Sequence, residues 1–287
     1  MRFDKIMIYH NGEFLNVGFS SLIKPIILVG SGRPYSDNFP IGENVANLLK
    51  KHNIPFVRTY DPWPKDLWVY HNGVYIVNQV KVDDSGKRRY QISEGGNYVF
   101  GNDFCFVSEG QIYQKNQQTI DDFINEIKVA TGVSKVFLLP YLGHKHIDLI
   151  VGFIPWLNLF VFDETYFRVN KFILEPILTE LNSNFILTNE KYASNFFVFD
   201  YSLEEIPENL RERFVITYNS PRLSKKLEKL GVNVLQPENT SLEDLSMFGG
   251  VSCTMNIVHD VSLISQLLIG SQDYMKRVYI NNPHLNS

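Results

Sequence analysis

The Asn72-Gly73 pair sits between two runs of β-forming residues, Leu67–His71 and Val74–Val77. Asn-Gly supplies the left-handed backbone that a two-residue hairpin turn needs, so the two runs are expected to pair antiparallel. A second hairpin is expected over Tyr98–Val107, turning at Gly101-Asn102-Asp103. Elsewhere short apolar strands alternate with helix-period segments. Ile26–Gly30, Phe56–Tyr60, Val136–Pro140, Leu157–Phe162, Phe185–Thr188, Phe214–Tyr218, Val232–Leu235, Cys253–Val258 and Val278–Ile280 read as strands. Ile41–His52, Thr119–Ala130, Asn170–Leu181, Ser220–Leu230, Asn239–Met247 and Val261–Ile269 read as helices, the second with Thr119 as its N-cap and acids in its first turn. The hairpins fit a plain doubly wound parallel sheet poorly. No Gly/Ser linker, low-complexity tract or obvious repeat divides the chain, and a single α/β domain over residues 1–287 is expected.

Composition narrows the function classes. With 287 residues, 44% hydrophobic and 14% aromatic, the chain can fill a large core. Its net charge is -4 with no basic block, which argues against nucleic acid as a partner. Met1–His10 is too polar for a signal peptide and no apolar run reaches the length of a membrane span. A cytoplasmic protein without a membrane partner is expected, with secretion by a signal-independent route left open. The two cysteines, Cys105 and Cys253, lie far apart and form no Cys-x-x-Cys pair. A disulfide scaffold or cysteine-rich zinc site is therefore not expected, and no cofactor is invoked.

Four turn-flanked segments hold reactive groups at strand ends: Asp61 and Asp66 in Asp61-Pro62-Trp63-Pro64-Lys65-Asp66, Glu94 before Gly95-Gly96, His146 with Asp148, and Cys253 after Gly249-Gly250. Each has an ordinary reading. Acids in a proline-rich or hairpin turn are common turn formers, His146-Ile147-Asp148 could be a half-exposed strand end, and a lone cysteine is often a small buried hydrophobe. The functional readings are sharper. Glycine pairs let the backbone approach a ligand where a Cβ would collide. If His146-Ile147-Asp148 is extended, its histidine and carboxylate share one face, with His144 beside them, and suit acid–base work. Taken together, a thiol, a histidine and several carboxylates without a Gly-rich phosphate loop point to a cationic, carbon-centred electrophile. A guanidinium fits best, because two carboxylates can grip its planar fork. A bound cation also favours thiolate over thiol. A papain-like protease would need an oxyanion hole and gain nothing from so many acids.

The motifs resemble those of the guanidino-group-modifying, or pentein, superfamily. Asp61-Pro62-Trp63-Pro64-Lys65-Asp66 is similar to the Asp-x-Trp-x-Arg-Asp of agmatine deiminases and bacterial peptidylarginine deiminases, and Glu94-Gly95-Gly96-Asn97 to their Glu-Gly-Gly-Asn. His146-Ile147-Asp148 is similar to their His-x-Asp, and Gly249-Gly250-Val251-Ser252-Cys253 to their Gly-Gly-x-x-Cys. The resemblance implies five ββαβ-type units around a pseudo-fivefold axis, with the site in the central mouth. It implies Cys253 as nucleophile, His146 as general acid and base, and Asp66 and Asp148 as the guanidinium clamp. Glu94 would orient His146 or hold a substrate nitrogen, while Asp61 and Trp63 would line the pocket and Gly250 would back it. Lys65 stands where the motif has arginine. Ser252 stands where agmatine deiminases have histidine, which brings Ser252-Cys253 closer to the dimethylarginine dimethylaminohydrolases. The implied activity is hydrolysis of an arginine-type guanidinium through a covalent thiouronium. Amidino transfer to an amine and a non-catalytic binding module are the alternatives. Arg33, on a turn-rich loop, is the first candidate for a substrate carboxylate. The expected partner is a small guanidino compound or a peptidyl arginine, and a homo-oligomer is left open.

Overall fold

The strands flanking Asn72-Gly73, Trp68–His71 and Val74–Val77, pair antiparallel in the computed structural model. The structure describes residues 5–10, 13–18, 25–30, 40–59, 63–71, 74–77, 80–82, 88–90, 95–110, 119–140, 146–201, 212–218, 220–238, 241–242, 244–245 and 250–258. Arg33, Asp61, Glu94 and His144 lie outside them, as do the expected helix 261–269, the expected strand 278–280 and much of the expected helix 239–247.

One arrangement recurs in five of the six sheets among the described residues: an antiparallel pair whose second strand is joined by a parallel third. Tyr98–Phe100 and Phe104–Ser108 form the pair, and after the helix Ile120–Thr131 the strand Lys135–Leu139 returns parallel to Phe104–Ser108. Val151–Ile154 and Leu159–Asp163 do the same, followed by the helices Glu164–Val169 and Lys171–Glu180 and the strand Asn184–Thr188. Phe197–Tyr201, Glu212–Ile216, the helix Pro221–Lys229 and Val234–Leu235 repeat it. In a fourth sheet the pattern is split in sequence. Met255–Val258, late in the chain, pairs antiparallel with Ile26–Gly30, and the helix Pro40–Lys51 leads to the parallel strand Phe56–Thr59. In the fifth, Val74–Val77 takes Lys5–His10 as its parallel neighbour, and that strand pairs in turn with Glu13–Gly18.

Several of these strands were not expected. Val151–Ile154 and Phe197–Tyr201 are strands, and Leu157 belongs to a short turn before the strand that begins at Leu159. Arg88–Tyr90 pairs antiparallel with Val80–Val82. No helix among the described residues is long and apolar enough to cross a membrane.

Both faces of the inner sheets are buried, so side-chain alternation sends neighbours into different cores. Phe104 and Phe106 join Phe153, Phe160 and Phe162 in one cluster, while Cys105 and Val107 pack with Phe123 and Ile127 of the helix Ile120–Thr131 in another. The Phe106 and Phe160 rings stack with centroids 4.9 Å apart, which welds two adjacent sheets together. Each such side chain contributes about 2–3 kcal/mol by leaving water. Cys105 is 0% exposed, and burial pushes its thiol well above the usual range.

The first strands of the five sheets share a cavity. Val69, Val99, Phe153, Val198 and Ile257, one from each, all line it. Each of these strands is also preceded by a tight turn, and four of the turns are short 3-10 segments: Pro64–Asp66, Gly95–Asn97, Ile147–Leu149 and Ser252–Thr254. The fifth, before Phe197, holds Asn195, whose amide bonds the Tyr192 carbonyl at 3.0 Å. The chemistry lies in these turns.

Candidate active site

Cys253 is not the head of its strand, as expected, but the middle of the turn Ser252–Thr254. The Cys253 amide donates to Gly250 O and the Thr254 amide to Val251 O, each at 3.1 Å, so the turn satisfies its own backbone. His146-Ile147-Asp148 is likewise not extended. His146 precedes the turn Ile147–Leu149, with the Leu149 amide on His146 O at 3.2 Å. The turn still brings the two side chains together with Cys253. One ligand atom from each of His146, Asp148 and Cys253 lies within 4.8 Å of the others.

Around the sulfur the contacts are specific. The Cys253 thiol points to Asp148 Oδ2 at 3.9 Å, and Asn195 Nδ2 donates to the sulfur at 3.8 Å. Lys65 Nζ donates to the same Asp148 Oδ2 at 2.6 Å and to Ser252 Oγ at 2.6 Å. Asp148 Oδ1 is buried with no hydrogen-bond partner among the described residues. A soft metal ion could use such a mixed donor set, but the ammonium already occupies the cation position on Oδ2. Burial pushes the Cys253 thiol above its usual range and Asp148 adds to that, while a hydrogen bond and charge from His146 and the charge of Lys65 oppose it. Burial is thus the largest influence on the thiol, whose proton acceptors lie in reach.

The room that two of the glycines leave is taken by neighbouring side chains. A Cβ on Gly96 would overlap His146 Nδ1, and one on Gly250 would overlap Asn195 Oδ1. The close approach that glycine permits here is by the protein's own side chains. Asn195, buried at 1% exposure, uses the space beside Gly250 fully. Its Oδ1 accepts from the Ser252 amide at 2.9 Å, and its Nδ2 donates to Asp148 O at 3.2 Å as well as to the sulfur.

Of the expected residues, Cys253, His146 and Asp148 come together. Asp66 accepts from the Gly96 amide at 3.3 Å, joining its turn to the one that makes room for His146. Trp63 heads the turn Pro64–Asp66, and its carbonyl accepts from the Asp66 amide at 2.9 Å. Asp61, Glu94 and Arg33 lie outside the described residues. Asn195 was missed. It stands two residues before its strand, as Asp66, Gly96 and Cys253 do before theirs, and only that shared position could have singled it out.

No protein-family model matches the chain, and no curated protein sequence matches it significantly. Solved structures do. A dimethylarginine dimethylaminohydrolase from Pseudomonas aeruginosa, a cysteine-to-serine mutant complexed with citrulline, superposes with a TM-score of 0.54 at 14% identity, over 83% of this chain and 100% of that one. A C. jejuni agmatine deiminase superposes with a TM-score of 0.55 at 14% identity, over 83% and 94% of the two chains. A dimethylarginine dimethylaminohydrolase carrying a histidine-to-glycine change, an adduct with S-methyl-L-thiocitrulline, gives 0.53 at 14% identity over 81% and 98%. At this identity what is shared is the fold: the chain folds as these dimethylarginine dimethylaminohydrolase and agmatine deiminase structures do.

Proposed function

We propose that the protein is a cysteine-dependent hydrolase acting on the guanidinium group of arginine or an arginine derivative. The observation that carries this reading is the cluster itself: a thiol, an imidazole and a buried carboxylate within 4.8 Å, with Asp148 Oδ1 left without a partner among the described residues. A buried carboxylate oxygen with no donor is costly unless a ligand supplies one. A guanidinium N–H supplies it with charge assistance. Structural relatives named for dimethylarginine and agmatine support the same substrate class.

Cys253 gives its proton to His146 and attacks the guanidinium carbon. The protonated His146 passes the proton to the departing amine or ammonia as the C–N bond breaks, leaving an S-alkylthiouronium. His146 then takes a proton from water, and the hydroxide adds to the same carbon. The C–S bond breaks, the protonated His146 returns its proton to the Cys253 thiolate, and the ureido product is released as the proton on its new oxygen passes to the freed amine. Asp148 and Asp66 hold the substrate nitrogens, Glu94 orients His146, and Asp61, Trp63 and Gly250 border the pocket, with Arg33 on a substrate carboxylate. Because Cys253 and Asp148 are buried, binding a cation beside the sulfur favours the thiolate just when it is needed. The five sheets are read as one ring of ββαβ-type units in a single domain, supported by the shared cavity and by the pairing of Met255–Val258 with Ile26–Gly30.

A panel of arginine, methylated arginines, agmatine and a peptidyl arginine, assayed for ureido product and released amine, tests the reading. One member should turn over, and Cys253→Ser should lower that rate by at least about 10³-fold. Retained turnover in Cys253→Ser would sink it. Ornithine formed from arginine and glycine or lysine without citrulline would show that an amine, not water, resolves the intermediate.

A further inference from the structure

Lys65 is the cation that the site already contains. Its ammonium reaches from the turn Pro64–Asp66 to two others, donating to Asp148 Oδ2 and to Ser252 Oγ, both at 2.6 Å. The Asp148 side chain is 4% exposed and that of Lys65 23%, so solvent and salt screen the pair little. The oxygen that Lys65 holds is also the one 3.9 Å from the Cys253 sulfur. An unpaired carboxylate there would oppose a developing thiolate by like-charge repulsion. Pairing Oδ2 with an ammonium counters that opposition, fixes the carboxylate's rotamer, and leaves Oδ1 as the oxygen without a partner among the described residues.

We propose that Lys65 is a positioning residue: by neutralising Asp148 Oδ2 beside the sulfur it lets Cys253 carry the charge of a nucleophile, and by holding that oxygen it presents Oδ1 to the ligand. The proposal rests on the proposed hydrolase chemistry only for the meaning of Oδ1, since the charge effect on the sulfur can be read without any substrate. Among the described residues, the charged groups that act on Cys253 are Asp148 and His146 from the segment 146–149 and Lys65 from the turn Pro64–Asp66. Asn195 contributes a neutral donor. The Asp66 carboxylate accepts from the Gly96 amide. Arginine could supply the charge of Lys65 but not its compact three-donor head, which here serves two acceptors from one nitrogen.

The test is the pH profile of iodoacetamide alkylation of the full chain, with the adduct located at Cys253 by mass spectrometry. Lys65→Met should move the midpoint of alkylation upward by about one pH unit, a tenfold lower thiolate fraction near neutrality. Lys65→Arg, which keeps the charge, should restore most of that shift. Ser252→Ala removes one acceptor but no charge and should leave the midpoint in place. If Lys65→Met does not fold, Lys65→Gln keeps a hydrogen-bond donor without the charge and gives the same readout. An unmoved midpoint in a folded neutral variant overturns the proposal, as would a shift in Lys65→Arg equal to that in Lys65→Met. The two readings fail separately. A shifted midpoint in a protein that turns over no guanidine leaves Lys65 as proposed and removes the hydrolase, and turnover with an unmoved midpoint does the reverse.

Discussion

Gly96 has no Cβ because His146 takes the space. An alanine there must displace the imidazole, since the atom in the way is ring nitrogen Nδ1 with the ring's Cγ close behind. The fold should survive Gly96→Ala, because the ring can rotate toward the pocket, but its distance from Cys253 would change. A misplacement of about 1 Å costs on the order of 100-fold in rate. We therefore expect Gly96→Ala to lower kcat/KM on the best guanidine by about that factor while Tm moves by only a few degrees, and parallel collapse of both would place the glycine in folding instead. A second residue-scale prediction concerns His71, which is 8% exposed and stacks on Phe100 with ring centroids 4.8 Å apart. Burial holds its pKa down to about 4, against a smaller upward pull from Asp103. In the unfolded chain it titrates near 6.5, so between pH 6.5 and about 4 the unfolded state binds more protons. Stability is thus lost as pH falls through that window, by up to about 3 kcal/mol. His71→Phe keeps the stacking and should flatten the loss, measured as the difference in urea midpoint between pH 7 and 4.5. An equal drop in both proteins would assign the acid sensitivity elsewhere. The two residues also differ in legibility. The Gly95-Gly96 pair was visible as a place needing room, but which atoms needed it depended on His146, fifty residues away.

At the scale of elements, local signals were read well and distant ones were not. Thr119 caps the helix Ile120–Thr131 as its sequence expects, with its side chain accepting from the Asp122 amide at 3.1 Å. The helix Pro221–Lys229 was also expected, but its cap was not. Ser220 makes no side-chain cap bond there. Glu190, in the turn region before the strand Phe197–Tyr201, accepts instead from the amides of Arg222 at 3.0 Å and Leu223 at 2.9 Å. A carboxylate at a helix N-terminus satisfies free donors and meets the positive end of the dipole. Glu190→Ala should cost about 1 kcal/mol, read as a lower urea midpoint with an unchanged m value, and Glu190→Gln about half of that. No change in either would mean that water replaces the cap. The strand Val151–Ile154 escaped notice for a related reason. Gly152 breaks its apolar run, yet a Cβ there would overlap the Phe196 ring and Ser194 O, so the glycine marks where the turn before the strand Phe197–Tyr201 packs close. His146-Ile147-Asp148 misled in the opposite direction. Its alternation looked extended, but the strand begins only at Val151, and the three residues belong to the turn that feeds it.

Across the whole molecule, one late segment does two jobs. The strand Met255–Val258 completes a sheet with Ile26–Gly30, and the turn that immediately precedes it carries the thiol. Asn256, 8% exposed, ties that strand to the Asp66 segment by donating to Pro64 O at 2.7 Å and to Trp68 O at 2.9 Å. Trp68 answers with its indole N–H on Ile257 O at 3.2 Å. The Asn256 amide thus joins the Trp68–Ile257 and Lys65–Ser252 bonds in setting the position of Cys253 relative to Lys65 and Asp66, across segments more than 180 residues apart. Asn256→Asp keeps the shape but turns a double donor into an acceptor facing two carbonyl oxygens, so it should cost more than Asn256→Leu, which leaves Pro64 O with the Leu67 amide alone and takes the acceptor from the Ile257 amide. Loss of the buried hydrogen bonds of one side-chain amide corresponds to about 2–4 kcal/mol. Because the same link positions the turn Pro64–Asp66, both variants should also slow alkylation of Cys253 under conditions where they remain folded, whereas Glu190→Ala should not. Loss of stability with an unaltered alkylation rate would show that the strand closes the fold without aligning the site, and that the two halves of the cluster find their register by another route.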